Sequence, residues 1–102
     1  MRSRHILSAL FFLLAGPAAG AEPPPLSCPE LGIYAIGASE ARDKGIAAAK
    51  VKRDIDKDDN FSAHDKTEMK RIVDLIYSRP GDSGTKLSYT VESQCRRTSR
   101  PR

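Results

Sequence analysis

The sequence predicts an all-α protein, a small bundle of about four short helices held by one disulfide, after a cleaved signal peptide. Three observations lead to this prediction. The chain of 102 residues opens with a basic and then apolar leader, carries one strongly amphipathic stretch at 61–80, and has two cysteines, Cys28 and Cys95. Because a chain this short has a marginal hydrophobic core once its leader is removed, we expect a covalent link to matter for stability.

Residues 1–21 have the features of a secretory signal peptide. Basic residues come first, an apolar run follows at 6–15, and Ala19 and Ala21 place small side chains three and one positions before a cleavage point at Glu22. The apolar run is too short to span a bilayer, which argues against the alternative of a retained membrane anchor. We therefore expect a periplasmic or secreted protein with no integral membrane segment after cleavage.

The basic charge of the chain is concentrated at its two ends. Loss of Arg2 and Arg4 with the leader lowers the Lys and Arg count from 17 to 15, against 13 Asp and Glu, and four of those 15 lie at 96–102. The sequence thus divides into the signal peptide, a Pro-rich spacer at 22–27, a helical domain at 28–95 and an Arg-rich tail at 96–102 that we expect to be disordered. No basic stretch is interleaved with aromatic residues, so nucleic acid is not an expected partner.

Cys28 and Cys95 are expected to form a disulfide. An even number of cysteines in a small exported chain is typical of pairing in an oxidising compartment. Closing a loop of about 66 residues stabilises the folded state by roughly 4 kcal/mol in the chain-entropy model. Neither cysteine belongs to a CxxC motif, which makes the alternatives of a redox pair or a metal thiolate pair less favoured.

The stretch 61–80 predicts the helix around which the rest of the chain packs. Its apolar residues recur at helical spacing, as one stripe made by Met69, Ile72, Val73, Ile76 and Tyr77. Ser62 is a suitable N-cap, and Asp65 is placed to return the bond as in a capping box. Pro80 ends the pattern because it cannot continue a helix.

Two further helices are predicted before this stretch. The first opens at Ser27 and has a narrow apolar face made by Leu31, Tyr34, Ala35, Ala38 and Ala41. Gly45 is expected to end it in the C′ position. The second helix is predicted over 47–56, with Ala48, Val51 and Ile55 as its apolar residues.

The last element is predicted to start at Thr85 as N-cap and to be a helix. Leu87, Val91 and Cys95 have the i, i+4, i+8 spacing of one helix face. The alternation of Leu87, Tyr89 and Val91 also fits a strand. The helix is favoured because the sequence offers no partner strand, and because the helical phase directs Cys95 inward toward Cys28.

Residues 54–65 resemble the calcium-binding loop of an EF-hand, in which about six to eight hard oxygen atoms surround the ion. The candidate ligands are Asp54, Asp56, Asp58, Asn60 and Asp65. Asp59 stands where the EF-hand has glycine, and Asp65 stands where a longer glutamate reaches the ion. The same residues also fit a charged helix end, a turn and an N-cap. Weak calcium binding is therefore the alternative function, and no other cofactor is expected.

The sequence has no pattern typical of an enzyme. His64 is the only histidine outside the leader, and Ser62 and Asp65 lie on the same turn, where side chains point in different directions. The Gly-rich stretch 81–84 lacks the Lys-Ser/Thr of a phosphate-binding loop. No catalytic residue is expected.

The layout of the chain resembles that of small exported bacterial proteins that are all-helical and hold one disulfide. The resemblance is carried by Cys28, the stretches 42–46 and 72–80, and Cys95. Periplasmic acid-stress chaperones and some immunity proteins against secreted cell-wall enzymes have a similar build. For the chaperones, the resemblance implies dimers that loosen at low pH and hold unfolding clients. It carries no functional residue over to this chain.

The leading functional hypothesis is a non-enzymatic module that binds another protein, either chaperone-like or like an inhibitor or immunity protein. Exposed parts of the first and last helices would make the contact, with Tyr34 and Tyr89 as candidate anchors, because aromatic residues are enriched among interface hot spots. The alternative for both tyrosines is a place in the core, which is favoured for Tyr34. The identity of the partner and the oligomeric state stay open, with a homodimer among the options.

Overall fold

A computed structural model describes residues 22–99 of the chain and contains four helices. They are α1 (Cys28–Asp43), α2 (Ala48–Lys57), α3 (Ala63–Ser78) and α4 (Gly84–Ser99), and no strand occurs within 22–99. A disulfide joins Cys28 to Cys95, with 5.5 Å between their Cα atoms. The all-α class, the four helices and the disulfide are thus confirmed, whereas the signal peptide and the last three tail residues lie outside the described residues.

Local sequence determines where α1 begins. The Ser27 amide donates to Glu30 Oε1 at 2.8 Å, and the Glu30 amide donates to Ser27 Oγ at 3.2 Å, which completes a capping box. Hydrogen bonding to the Glu30 carboxylate, first from the Ser27 amide and then from the Ser27 side chain, lowers the pKa of Glu30 below its ordinary value. This reciprocal pair holds the first turn of α1 beside the disulfide.

Gly45 ends α1, as the sequence predicted. It has a φ of 82°, a region that favours glycine because it has no Cβ. The Gly45 amide donates to the Arg42 carbonyl and the Ile46 amide donates to the Ala41 carbonyl, both at 3.0 Å. These two bonds form a Schellman motif, which satisfies carbonyls that the helix end would leave free.

Helices α1 and α3 each contact all three other helices, and the most extensive contact in the fold is that of α1 with α4. Small residues allow this close approach. A Cβ placed on Gly32 would lie 3.0 Å from Ser88 Oγ, and one placed on Gly84 would overlap the Ser39 side chain. Helix α3 thus contacts every other helix, as expected for 61–80, and α1 shares this central place because its small residues let the backbones of α1 and α4 come close.

Helix α3 buries the stripe that the sequence predicted. Its buried apolar residues are Met69, Ile72, Val73 and Ile76, and Tyr77, the fifth residue of the predicted stripe, is partly buried. Ser62 Oγ accepts the Asp65 amide at 3.1 Å, as expected for an N-cap. Asp65 does not complete the capping box, because its carboxylate accepts the Leu26 amide at 3.0 Å instead. The buried Asp65 thereby fixes the spacer before α1 against the start of α3.

Helices α2 and α4 differ from the prediction at their ends. Helix α2 runs one residue later than expected. Residues 84–99 form one continuous helix, which excludes the strand alternative for this segment. Ser83 rather than Thr85 caps α4, because Ser83 Oγ accepts the Lys86 amide at 3.1 Å. The earlier start brings Gly84 into the helix and against α1.

Candidate protein-binding groove

Helices α3 and α4 both pack on α1 but barely touch each other, and a groove lies between them. Its volume is about 560 Å³. Apolar atoms form its floor, and the residues that supply them are Leu31, Ile72, Leu75, Val91 and the disulfide-bonded Cys95. The groove therefore lies over the covalent link between the first and last helices.

Polar side chains form the rim of the groove. On α3 they are Glu68, Arg71, Asp74 and Ser78, and on α4 they are Gln94 and Thr98. The charged members are paired within the protein: Arg71 contacts Glu68 at 2.8 Å and Lys52 contacts Asp74. The rim thus offers hydrogen-bonding groups with little unbalanced charge around an apolar floor.

Arg42, near the end of α1, bonds to the end of α3 and to the connection 79–83 that joins α3 to α4. Its guanidinium is almost fully buried, with 7% of the side chain exposed. It donates to the carbonyls of Ile76, Arg79 and Asp82 at 3.1, 3.0 and 3.0 Å. One side chain of α1 therefore fixes the end of α3 and the turn that sets the direction of α4.

The two candidate tyrosine anchors lie in different places, and neither lines the groove. Tyr34 is half-buried beside Phe61 and Met69, in a small apolar hollow of about 250 Å³. Burial raises the pKa of Tyr34 to about 12, and the nearby Tyr77 and Asp54 add to the shift. Tyr89 of α4 is 76% exposed. Tyr34 thus packs against the core, whereas Tyr89 is available to a partner.

The five candidate calcium ligands do not meet around one point. Asp54 and Asp56 lie within α2 and contact Lys50 and Lys70 respectively, at 3.1 and 2.8 Å. The Asp58 carboxylate accepts the Asn60 amide at 2.9 Å, while the Asp65 carboxylate is turned toward Leu26. Within residues 22–99, no three His, Cys, Asp or Glu side chains form a group that could hold a metal ion.

His64 lies on the surface at the first turn of α3, whereas Ser62 and Asp65 are buried. The hydroxyl of Ser62 accepts the Asp65 amide, so both residues act in helix capping. The described part of the chain also has no helix long and apolar enough to cross a bilayer.

No family model, curated protein or solved structure matches this chain. The resemblance to acid-stress chaperones and immunity proteins consequently stays a prediction from layout.

Sequence reasoning missed the groove between α3 and α4 and the contacts of Arg42. Leu75 lies beside the main stripe of α3, and its position three residues after Ile72 was the one local signal of a second apolar side. Arg42 gave no such signal, because its acceptors are backbone carbonyls 34 to 40 residues away.

Proposed function

We propose that the protein acts by binding another protein, and that the groove between α3 and α4 receives an amphipathic helix of that partner. The observation that carries the proposal is the groove itself, with its apolar floor and polar rim. The wall on α3 extends from Glu68 to Ser78, which corresponds to about 15 Å or nearly three helical turns. These are the properties of sites that bind the apolar face of a helix.

The charge of the rim supports a partner recognised by shape and apolar contact. Because Glu68 and Arg71 neutralise each other, and Asp74 is paired with Lys52, little charge remains to attract a strongly basic or acidic segment. Gln94 and Thr98 provide hydrogen-bonding groups on the opposite wall. The partner helix would carry apolar residues at i, i+3 or i+4, and i+7, and binding would depend only weakly on salt.

We further propose that the protein is non-enzymatic and works in the periplasm or outside the cell, where a disulfide persists. A chaperone-like role and an inhibitor-like or immunity-like role both fit an apolar groove. They differ in the number of partners: a chaperone binds many unfolding proteins, whereas an inhibitor or immunity protein binds one folded target.

Site-specific photocrosslinking tests the proposal in the exporting cell. A photoreactive amino acid is placed at Gln94, which lines the groove, and at Arg53 of α2, an exposed position outside the groove, as the control. We expect crosslinks from position 94 and not from position 53, at neutral or acidic pH, and we expect Leu75→Glu to abolish them. Many crosslinked proteins under acid stress would favour the chaperone-like role, and one at neutral pH the inhibitor-like role.

The same experiment can refute the proposal. Equal crosslinking from both positions, or none from position 94 at either pH, would exclude the groove as the binding site. The Leu75→Glu variant is compared with Tyr89→Glu, which places the same charge on an exposed site outside the groove. Circular dichroism melts of both variants separate lost binding from lost folding.

A further inference from the structure

Helices α1 and α4 share an outer face that is turned away from α3. Gly32 and Ser88 lie in the seam where the two helices touch. Ile33 and Tyr89 each follow one of these residues, so each is rotated by about 100° from the seam. Because the helices are antiparallel, equal rotations bring Ile33 and Tyr89 to the same side of the pair.

The outer face exposes large apolar side chains. Tyr89 is 76% exposed, Ile33 is 67% exposed and Ile36 is 36% exposed. Beside them, Gly37 has no atom within 4 Å of the position where a Cβ would lie, which leaves a shallow hollow. Residues 22–99 leave these apolar side chains and the hollow uncovered, and clustered apolar residues of this kind mark interaction surfaces.

The two halves of the outer face carry opposite charges. The exposed charged residues along α1 on this side are Glu30 and Glu40, and those along α4 are Lys86 and Arg96. Three residues run against this trend: Lys44, which lies past the last residue of α1, Asp82, which lies just before α4 and is paired with Lys86, and Glu92, which is paired with Arg96. The pairs of Lys86 and Arg96 are exposed i,i+4 contacts, which contribute little and can exchange partners.

We propose that a second copy of this chain covers the outer face, so that α1 of each molecule lies antiparallel on α4 of the other. A two-fold axis parallel to the helices produces this arrangement and makes the face self-complementary. Because this rotation does not shift the second copy along the helix axes, residues at the same level of the bundle in the two copies face each other. Since Gly32 lies level with Ser88 and Ser39 level with Gly84, Glu40 comes within about one turn of Lys86 of the second copy.

Charge selects this arrangement over the other way of stacking two such faces. If α1 lay on α1 and α4 on α4, the acidic flanks would face each other, and so would the basic flanks, which is unfavourable. With α1 on α4, Glu30 faces the Arg96 end of the second copy. Tyr89 then lies over Ile33 and the hollow at Gly37, where the absence of a side chain leaves room for its ring.

The size of the face predicts a weak dimer. Two adjacent helices of 16 residues present an area of about 24 by 20 Å, on the order of 500 Å² per copy. A standard stable interface buries about 800 Å² per partner. The dimer should therefore form in the micromolar range or above, and depend on protein concentration and on salt.

Sedimentation equilibrium of the oxidised protein, from about 1 μM to about 1 mM, tests the proposal. We expect a monomer–dimer equilibrium that Tyr89→Glu weakens at least about tenfold. Glu40→Lys and Lys86→Glu should each weaken it, and the double exchange, which has the net charge of the wild type, should restore most of the affinity. Ile46→Glu is the control, because Ile46 is 38% exposed but lies in the α1–α2 connection.

A wild-type monomer at every concentration would overturn the proposal, as would a dimer that Tyr89→Glu leaves unchanged. Failure of the double charge exchange to restore affinity would exclude the α1-on-α4 pairing. The groove variant Leu75→Glu should not alter dimerisation, so failure of this proposal and failure of the groove proposal are distinguishable.

Discussion

Replacement of Arg42 by methionine removes the buried guanidinium that bonds to the end of α3 and to the connection 79–83, and we expect it to lower the free energy of unfolding by about 3 kcal/mol. A hydrogen bond that involves a charged group contributes about 1.5–3 kcal/mol, and Arg42 makes three to carbonyls. The Arg79 carbonyl is exposed and regains water, whereas those of Ile76 and Asp82 are partly buried. The expected loss of stability thus corresponds to about two such bonds. It is reduced because methionine keeps apolar contacts like those of the arginine stem.

This loss is large for so small a domain. At about 0.05–0.15 kcal/mol per residue, the 78 residues from 22 to 99 have a total stability of roughly 4–12 kcal/mol. A decrease of about 3 kcal/mol lowers the melting temperature by roughly 12–24 °C. Arg42→Lys should fall between wild type and Arg42→Met, because an ammonium keeps the charge but cannot reach three carbonyls in fork geometry.

Urea denaturation of the oxidised protein, followed by circular dichroism, measures the change. Arg71→Met is the matched control, because the Arg71 side chain is 69% exposed and pairs only with Glu68 on the surface. We expect this control to stay within about 0.5 kcal/mol of the wild type. If Arg42→Met cost less than about 1 kcal/mol, or no more than Arg71→Met, the assigned role of Arg42 would be refuted.

Three further predictions concern covalent, pH and metal effects. Replacing Cys28 and Cys95 by serine should lower the free energy of unfolding by roughly 4 kcal/mol, and a loss below about 1 kcal/mol in a urea titration would contradict the entropic argument. Since burial raises the pKa of Tyr34 to about 12 above an unfolded value of about 10, the neutral phenol stabilises the fold fully below pH 10 and less as pH rises toward 12. The urea midpoint of wild type should then fall more steeply above pH 10 than that of Tyr34→Phe, and parallel pH profiles would count against this. Thermal melts with millimolar calcium and with chelator should coincide, because Asp54 is held in a helix beside a lysine; a calcium-dependent rise that Asp54→Ala abolishes would instead establish a site.

The sequence was sufficient to predict the elements because their signals are local. The spacing of Met69, Val73 and Ile76 predicts one buried face of α3, and Gly45 marks the end of α1. The N-cap of α4 was placed two residues late, since Ser83 and Thr85 are both good capping residues and the packing of Gly84 against α1 decides between them.

The groove was less predictable because it depends on the angle between two helices. Contacts between residues far apart in the chain, such as those of Arg42 with Ile76 and Arg79, hold the end of α3 and the connection to α4, and no local pattern predicts them. Asp65 is a similar case. In sequence it fits a capping box or a calcium loop, and only the position of the Leu26 amide directs its carboxylate elsewhere. The exposure of Tyr89 could be anticipated, since it lies off the face shared by Leu87 and Val91.

The disulfide also determines how the domain carries mechanical load. The Cα atoms of Cys28 and Cys95 are 5.5 Å apart, so the chain enters and leaves the domain at neighbouring points. Tension applied between the two ends passes through the sulfur–sulfur bond and leaves the residues between Cys28 and Cys95 unstretched. Reduction would place 67 residues in the line of force, a reserve of about 230 Å when extended. The oxidised domain therefore cannot be extended between Cys28 and Cys95 without breaking a covalent bond.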